Sequence, residues 1–186
     1  FCYLTMIKDV YTREIVGYAV TDHMRAEANM DALKMAFKNN PNDLTGLIHH
    51  SDRGSQYVDK GYQKLLSEHG ILPSMGLIAQ ENAYAERVNG TIKNEFISYR
   101  KFSNLRELKQ HVKRDIDYYN THRIHDSLPP LKTPSTFAKQ LLTLNDNHRP
   151  VEIIHSPTRP WKTTSKPQWL KTTELPRENH CPVQFN

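Results

Sequence analysis

Apolar residues change their spacing along the first part of the chain, and each change predicts a different kind of element. The runs 1–7 and 15–20 are dense in aromatic and aliphatic residues, which is typical of strands. The polar stretch 9–14 between them predicts a hairpin connection. From residue 25 to 39 the apolar positions fall at helical spacing, which predicts the first helix.

Helical spacing returns four times after this first unit. Asp59 is placed to cap one helix and Gly70 to end it, whereas 76–81 has no periodicity and predicts a mobile loop. The predicted helices span 25–39, 59–70, 82–99, 104–119 and 134–144, with short strands at 44–50 and 71–75. Two strands followed by helices alternating with strands predict an α/β fold, in which helices flank a mixed sheet.

The pattern breaks down after about residue 145. Six of the eleven prolines lie between Pro150 and Pro182, and the apolar residues there have no period. We therefore expect a folded domain at 1–145 and a proline-rich, mostly extended or disordered tail at 146–186. No apolar run approaches the length of a membrane span.

The charge balance favours a polyanionic partner. The chain has 25 Lys and Arg against 20 Asp and Glu, a net charge of +5 and a pI near 9.1, which fits nucleic acid but does not require it. The two cysteines, Cys2 and Cys181, lie at opposite ends of the chain. Their spacing predicts no disulfide framework and fits a reducing compartment.

The stretch LIHHSDRGSQY places Asp52 directly after a predicted strand. Ligands of α/β sheets gather where strands end, so Asp52 is a candidate functional acid. Asp-x-Gly is also a common turn, and this reading explains Asp52 equally well on its own. His50 is expected to pack against Asp52 or to orient it.

A second acid occurs in ENAYAERVNGTIKNEF, on the helix predicted at 82–99. Glu86, Gly90 and Lys93 share one face of that helix, opposite the apolar stripe. A glycine in mid-helix costs roughly 1 kcal/mol relative to alanine. Either a bulky group such as a DNA backbone approaches this face closely, or a helix contact requires a small residue.

Four ordered motifs together carry a family resemblance. HSDRGSQY, Ser74-Met75, ENAYAERVNGTIKNE and YNTHRIHDSL resemble the integrase-type catalytic core of DDE transposases from bacterial insertion sequences, the orfB type. The resemblance covers about residues 1–140 and implies an RNase H-like fold. Asp52 matches the second Asp of the family and Glu86 its Glu, with 33 residues between them. That spacing is slightly shorter than usual, and the difference falls in the loop predicted at 76–81.

The resemblance also implies the chemistry. The family holds two divalent ions, Mg²⁺ or Mn²⁺, with three carboxylates, and it cleaves DNA and transfers strands by in-line attack. The implied partners are the transposon ends, target DNA and further copies of the chain on DNA, with no membrane and no small-molecule cofactor. The implied location is the bacterial cytoplasm, at the nucleoid. Two alternatives stay open: a nuclease of the same fold, and a catalytically inactive remnant that still binds DNA.

The first Asp of the family has no clear match in this chain. Asp9 falls in the turn between the second and third family strands, so the resemblance places the third metal ligand upstream of Phe1. The family's first strand, which lies centrally between the second and fourth, would be absent too, leaving two strand edges without a partner. We expect the chain alone to fold poorly and to be inactive. The remaining acids expected to be solvated or capping are Asp22, Asp43, Asp115 and Asp117.

Basic residues cluster around the second motif and beyond it. The segment 86–125 carries nine Lys or Arg against five Asp or Glu. Phosphate contacts from such a face would be strongly salt-dependent, although a solvated basic face explains each residue singly. The predicted DNA contacts are Arg87, Lys93, Arg123 and His125.

Overall fold

A computed structural model describes residues 1–40, 43–52, 54–76, 83–128 and 132–143, together with the backbone of 168–170 and 183–185. Six strands and five α-helices form in these segments, close to the predicted order. The strands are β1 (Cys2–Asp9), β2 (Ile15–Thr21), β3 (Ile48–Ser51), β4 (Leu72–Met75), β5 (Gln168–Leu170) and β6 (Val183–Phe185). The helices are α1 (Ala26–Asn39), α2 (Lys60–Glu68), α3 (Ala83–Thr91), α4 (Leu105–Thr121) and α5 (Pro134–Leu142).

Strand β1 is buried on both faces, because apolar residues occupy both of its alternating positions. Leu4 and Met6 point into one apolar cluster, and Ile7 points into the other. β1 pairs antiparallel with β2, with Tyr3 opposite Thr21, through the hairpin predicted at 9–14. A strand covered on both faces belongs in the middle of a sheet.

The two faces of the sheet are covered by different helices. The cluster of Leu4 and Met6 includes buried residues of α3, of the π-helical turn Ile92–Ile97 that continues it, and of α4. The cluster of Ile7 includes buried residues of α1 and α2. The result is a three-layer arrangement with helices on both sides of a mixed sheet, as predicted.

The sheet order is β2-β1-β5-β3-β4. β3 pairs parallel with β4, while β5 joins the two halves by pairing antiparallel with β1 and parallel with β3. β6 also pairs with β1, at Cys2–Leu4. The expectation that two strand edges lack a partner is therefore wrong here, because backbone from the proline-rich segment supplies the hydrogen bonds that those edges need.

The structure also bears on the predictions for the cysteines and for the C-terminal segment. Cys2 is disulfide-bonded, so the prediction of no disulfide framework is wrong. Folding brings together segments that are far apart in sequence, and sequence separation alone does not prevent a bridge. The rest of 144–186 lies outside the described residues, as does 77–81 of the loop predicted at 76–81. The domain boundary at residue 145 stays a prediction. None of the described helices is long and apolar enough to cross a membrane.

Candidate active site

Asp52 lies one residue beyond the carboxyl end of β3, as its sequence position predicted. Its Oδ1 accepts a hydrogen bond of 2.8 Å from the backbone N–H of Gly54, so the chain turns directly after the acid. Asp52 can therefore both stabilise the turn and bind a metal, because the hydrogen bond uses Oδ1 and leaves Oδ2 available. The side chain is half-buried.

The two histidines before Asp52 contact different elements, one a covering helix and the other the neighbouring strand. His49 is buried, and its Nε2 lies 2.7 Å from the hydroxyl of Tyr62 in α2. His50 Nδ1 lies 3.1 Å from the hydroxyl of Ser74 in β4. His50 thus contacts the neighbouring strand and contributes to holding the end of β3 in place.

Glu86 lies in the first turn of α3 with its side chain exposed. The preceding residue, Ala85, is buried against Val10 and Tyr84, which fixes this turn against the β1–β2 hairpin. Beyond Thr91 the helix widens into a π-helical turn, in which Ser98 N donates to Lys93 O at 2.8 Å. π-helical turns within helices occur frequently at functional sites.

The chain connects the two acids by a short path. Gly76 N, directly after β4, donates to Ser51 O at 3.0 Å, which places the end of β4 beside Asp52. Residues 77–82 then lead to α3. Among the described residues, neither carboxylate forms an ion pair with a basic side chain.

A third metal ligand is not brought to this pair by the described part of the chain. No three His, Cys, Asp or Glu side chains within it come together in a way that could hold a metal ion. Asp9 is engaged elsewhere: its Oδ1 accepts from Tyr11 N at 2.8 Å and from Thr12 N at 3.4 Å. Burial raises the pKa of Asp9, and these hydrogen bonds oppose that rise.

Gly90 has no neighbour that requires a glycine. A Cβ placed on it would meet no atom within 4 Å, in contrast to Gly17, where a Cβ would lie 2.1 Å from Ala32 O and would separate α1 from β2. Of the two explanations for a glycine in this helix, a contact within the described structure is therefore excluded. Lys93, on the same face, is half-buried.

The other predicted DNA contacts differ in how their charge is balanced. Arg123 donates from Nε and Nη2 to both carboxylate oxygens of Glu95, at 2.7 and 2.6 Å. That bidentate pair raises the pKa of Arg123 and lowers the pKa of Glu95. Burial lowers the pKa of His125 from 6.5 to about 4, with a further contribution from Arg123. His125 is therefore neutral at pH 7. The remaining predicted contact, Arg87, is exposed on α3.

Two buried polar residues were missed by the sequence reasoning. Asn89 is 8% exposed, and neither its Oδ1 nor its Nδ2 has a hydrogen-bond partner among the described residues. It lies three residues after Glu86, so the two share a side of α3. Lys8 is 3% exposed in the middle of β1. The signal for Lys8 was available in the sequence, since it continues the alternation of Leu4 and Met6.

Comparison with protein families gives two adjoining matches. Residues 1–79 match one family model described as an integrase core domain, and residues 76–134 match a second model with the same description. The matched residues include Asp52 and Glu86, strands β1 and β2, and helices α1 to α4.

Curated relatives include transposases of insertion sequences. A putative transposase for the insertion sequence element IS986/IS6110 of Mycobacterium tuberculosis is 31% identical over 150 residues, which are 75% of this chain and 54% of that protein. The putative transposase InsK for IS150 of Escherichia coli is 37% identical over 141 residues, 74% of this chain and 49% of that protein. The chain thus spans about half the length of these relatives.

Solved structures with a similar fold come from retroviruses. One chain of the simian T-cell lymphotropic virus intasome in complex with PP2A regulatory subunit B56 gamma aligns with a TM-score of 0.60 and 15% identity, covering 87% of this chain and 54% of that chain. The HTLV-2 integrase catalytic core domain in complex with magnesium aligns with a TM-score of 0.53 and 18% identity, covering 70% of this chain and 81% of that chain. At this level of identity, the similarity supports a shared RNase H-like fold.

Proposed function

Because the chain belongs to the integrase core family of insertion-sequence transposases, we propose that it is a catalytic core for divalent-metal-dependent cleavage and strand transfer of DNA. The observation that carries the proposal is the pair Asp52 and Glu86, two carboxylates at the end of β3 and in the first turn of α3. Neither is neutralised by a basic side chain of the described segments. Hard oxygen ligands of this kind suit Mg²⁺ or Mn²⁺.

The proposed roles of the residues follow from their contacts. Asp52 and Glu86 would hold the metal, and the hydrogen bond from the Gly54 N–H to Asp52 Oδ1 restrains the Asp52 carboxylate. When bound, two such ions activate a water or a 3′-hydroxyl and stabilise the leaving oxygen of a phosphodiester. Gly90 leaves room on the same helix face for a DNA backbone, and Lys93 is placed to contact its phosphates.

The proposed partners are transposon ends, target DNA and further copies of the chain assembled on DNA. A DNA substrate of this kind would place the protein in the bacterial cytoplasm, at the nucleoid. The third carboxylate is proposed to come from outside the described residues, upstream of Phe1, since Asp9 is engaged in its turn. The second candidate is a chain that binds DNA without cleaving it, since the described residues bring no third metal ligand to Asp52 and Glu86.

The test compares wild type with Asp52→Asn and Glu86→Gln, each made in the full reading frame so that the third carboxylate can be supplied, using labelled transposon-end DNA in Mg²⁺, in Mn²⁺ and in EDTA. We expect wild type to cleave the DNA only when the metal is present, and each variant to cleave it more than about 100-fold more slowly. The fraction of DNA retained on a filter should be the same for all three proteins. Glu68→Gln, an exposed acid on α2, is the matched control. Full cleavage by either variant would contradict the metal site. DNA binding without cleavage by wild type would support the inactive reading, and cleavage without strand transfer would indicate a nuclease.

A further inference from the structure

One ion pair connects the segment after α4 with the π-helical turn that follows α3. Arg123 donates from Nε to Glu95 Oε2 at 2.7 Å and from Nη2 to Glu95 Oε1 at 2.6 Å. The two residues are 28 positions apart in sequence, so the pair is a tertiary contact between separate elements. A bidentate contact of this kind fixes the relative orientation of the two groups as well as their distance.

The rest of the Arg123 guanidinium also faces protein atoms. Its Nη1 lies 3.4 Å from Nε2 of His125 and 3.5 Å from the carbonyl oxygen of Ile124. Its Cζ lies 5.8 Å from the ring centroid of Tyr119, which is 1% exposed and therefore a fixed support. All three guanidinium nitrogens thus have neighbours within the protein, and the side chain is held in one place.

Glu95 belongs to the π-helical turn Ile92–Ile97, which also carries Lys93. Ser98 N donates to Lys93 O, five residues back, at 2.8 Å, whereas an α-helix pairs residues four apart. The wider turn holds one residue more, and each residue of an α-helix corresponds to a rotation of about 100°. The π-helical form therefore changes the direction in which the side chains of this turn point relative to α3.

The C-terminal end of α4 contacts this turn at a second, adjacent position. Next to Glu95, the buried ring of Phe96 packs edge-on against Tyr118, with 5.9 Å between the ring centroids. α4 is itself tied to β2, because Asn120 accepts from the N–H of Ile15 at 2.9 Å and donates to its carbonyl at 2.8 Å. The elements that hold the π-helical turn are therefore fixed to the sheet.

We propose that Glu95 and Arg123 are positioning residues for DNA binding: their ion pair holds the π-helical turn in the orientation in which Lys93 reaches a phosphate of the bound DNA. This inference rests on the proposed function, because it takes Lys93 as a DNA contact. It gives Arg123 an indirect role in place of the direct phosphate contact that its charge alone predicts. Lys93 is half-buried, so the reach of its ammonium group depends on the orientation of the turn that carries it.

The substitution Glu95→Gln distinguishes a positioning role from a direct contact. If Arg123 contacted DNA directly, Glu95→Gln would release its guanidinium and remove a negative charge, and both changes would strengthen binding to a polyanion. If the pair positions Lys93, the same substitution weakens binding although it makes the protein more positive. A pair that only stabilised the fold would leave the DNA affinity of the folded protein unchanged.

The test measures the affinity of the full chain for a short duplex of the transposon end, for wild type, Glu95→Gln, Arg123→Gln, Lys93→Gln and the two double variants that include Lys93→Gln. We expect each single variant to lower affinity roughly tenfold. Neither Glu95→Gln nor Arg123→Gln should lower it further in the Lys93→Gln background, because the residue that they position is then absent. Asp117→Asn, which removes the acid of the exposed ion pair with Lys113 on α4, is the control and should not lower affinity.

Unchanged or stronger binding by folded Glu95→Gln would overturn the positioning role, and so would full additivity of Arg123→Gln with Lys93→Gln. If Arg123→Gln does not fold, the sign of the Glu95→Gln effect decides alone. If wild type binds no DNA, the proposed function fails, and the effect of the pair on the turn is then measured by hydrogen exchange of the Ser98 amide. We expect faster exchange of this amide in folded Glu95→Gln than in wild type, and equal rates would reject the inference.

Discussion

At the scale of single residues, burial decides which titratable groups carry charge. Asp115 was expected to be solvated or to cap a helix, yet it is 6% exposed and both its oxygens accept from Arg100 Nη1 at 2.9 Å. That pair raises the pKa of Arg100. His125, in contrast, lies among cations and is held neutral.

We expect His125 to make the fold less stable as the pH falls. Its pKa is about 4 in the folded chain against 6.5 for an ordinary histidine. Between those two values the unfolded chain binds the proton and the folded chain does not, so stability falls as the pH drops through this window and levels off below about 4.

Urea denaturation at several pH values from 7.5 downward checks this, with His125→Asn as the reference. Because the other acids, including Glu95, titrate in both proteins, the difference between the two isolates the histidine. A difference that does not change with pH would show that His125 has an ordinary pKa in the folded chain.

At the scale of elements, the sequence predicted most of the fold and the positions of Asp52 and Glu86 on it, because each depends on local pattern. The helices follow from apolar spacing, and Asp59 caps α2 by accepting from Gly61 N and Tyr62 N. Asp52 follows from its place at a strand end. The β1–β5 pairing was missed because it depends on segments far apart in sequence, for which a spacing pattern carries no information. The burial of Lys8 was missed although it continues the alternation of Leu4 and Met6.

Gly90 offers a test at the same scale. We expect Gly90→Ala to raise the free energy of unfolding by about 1 kcal/mol, because alanine is the better helix former and its Cβ meets no atom within 4 Å. Gly90→Met should also fold, but it should weaken DNA binding, because its side chain fills the space between Glu86 and Lys93.

Urea denaturation and a filter-binding assay measure the two effects separately. Ser67→Met, at an exposed position of α2, is the control for an added apolar side chain. If Gly90→Met bound DNA as tightly as wild type, a close approach of the backbone to this face would be rejected.

At the scale of the whole molecule, the sheet is held together by β5. Only this three-residue strand pairs with both β1 and β3 among the described residues. β1 and β3 belong to the part of the chain predicted as a folded domain, whereas β5 belongs to the predicted tail. The sheet therefore crosses the boundary that composition suggested at residue 145.

We expect a chain that stops at residue 145 to be less stable than the full chain and to aggregate, because it exposes backbone groups along β1 and β3. Size-exclusion chromatography and urea denaturation of both proteins check this. A version ending at residue 175, which retains β5 but lacks β6, should lie between them. An unchanged denaturation midpoint for the shortest chain would instead support an independent domain at 1–145.

The position of β5 also sets the order in which the protein can be completed during synthesis. Domains generally begin to fold from their N-terminal side as the ribosome releases them. Here β1, β3 and all five helices are released before Gln168–Leu170, so the middle of the sheet must wait for a late segment. Until then the nascent chain presents two incomplete strand edges, and a chaperone that shields such edges would be most useful in that interval.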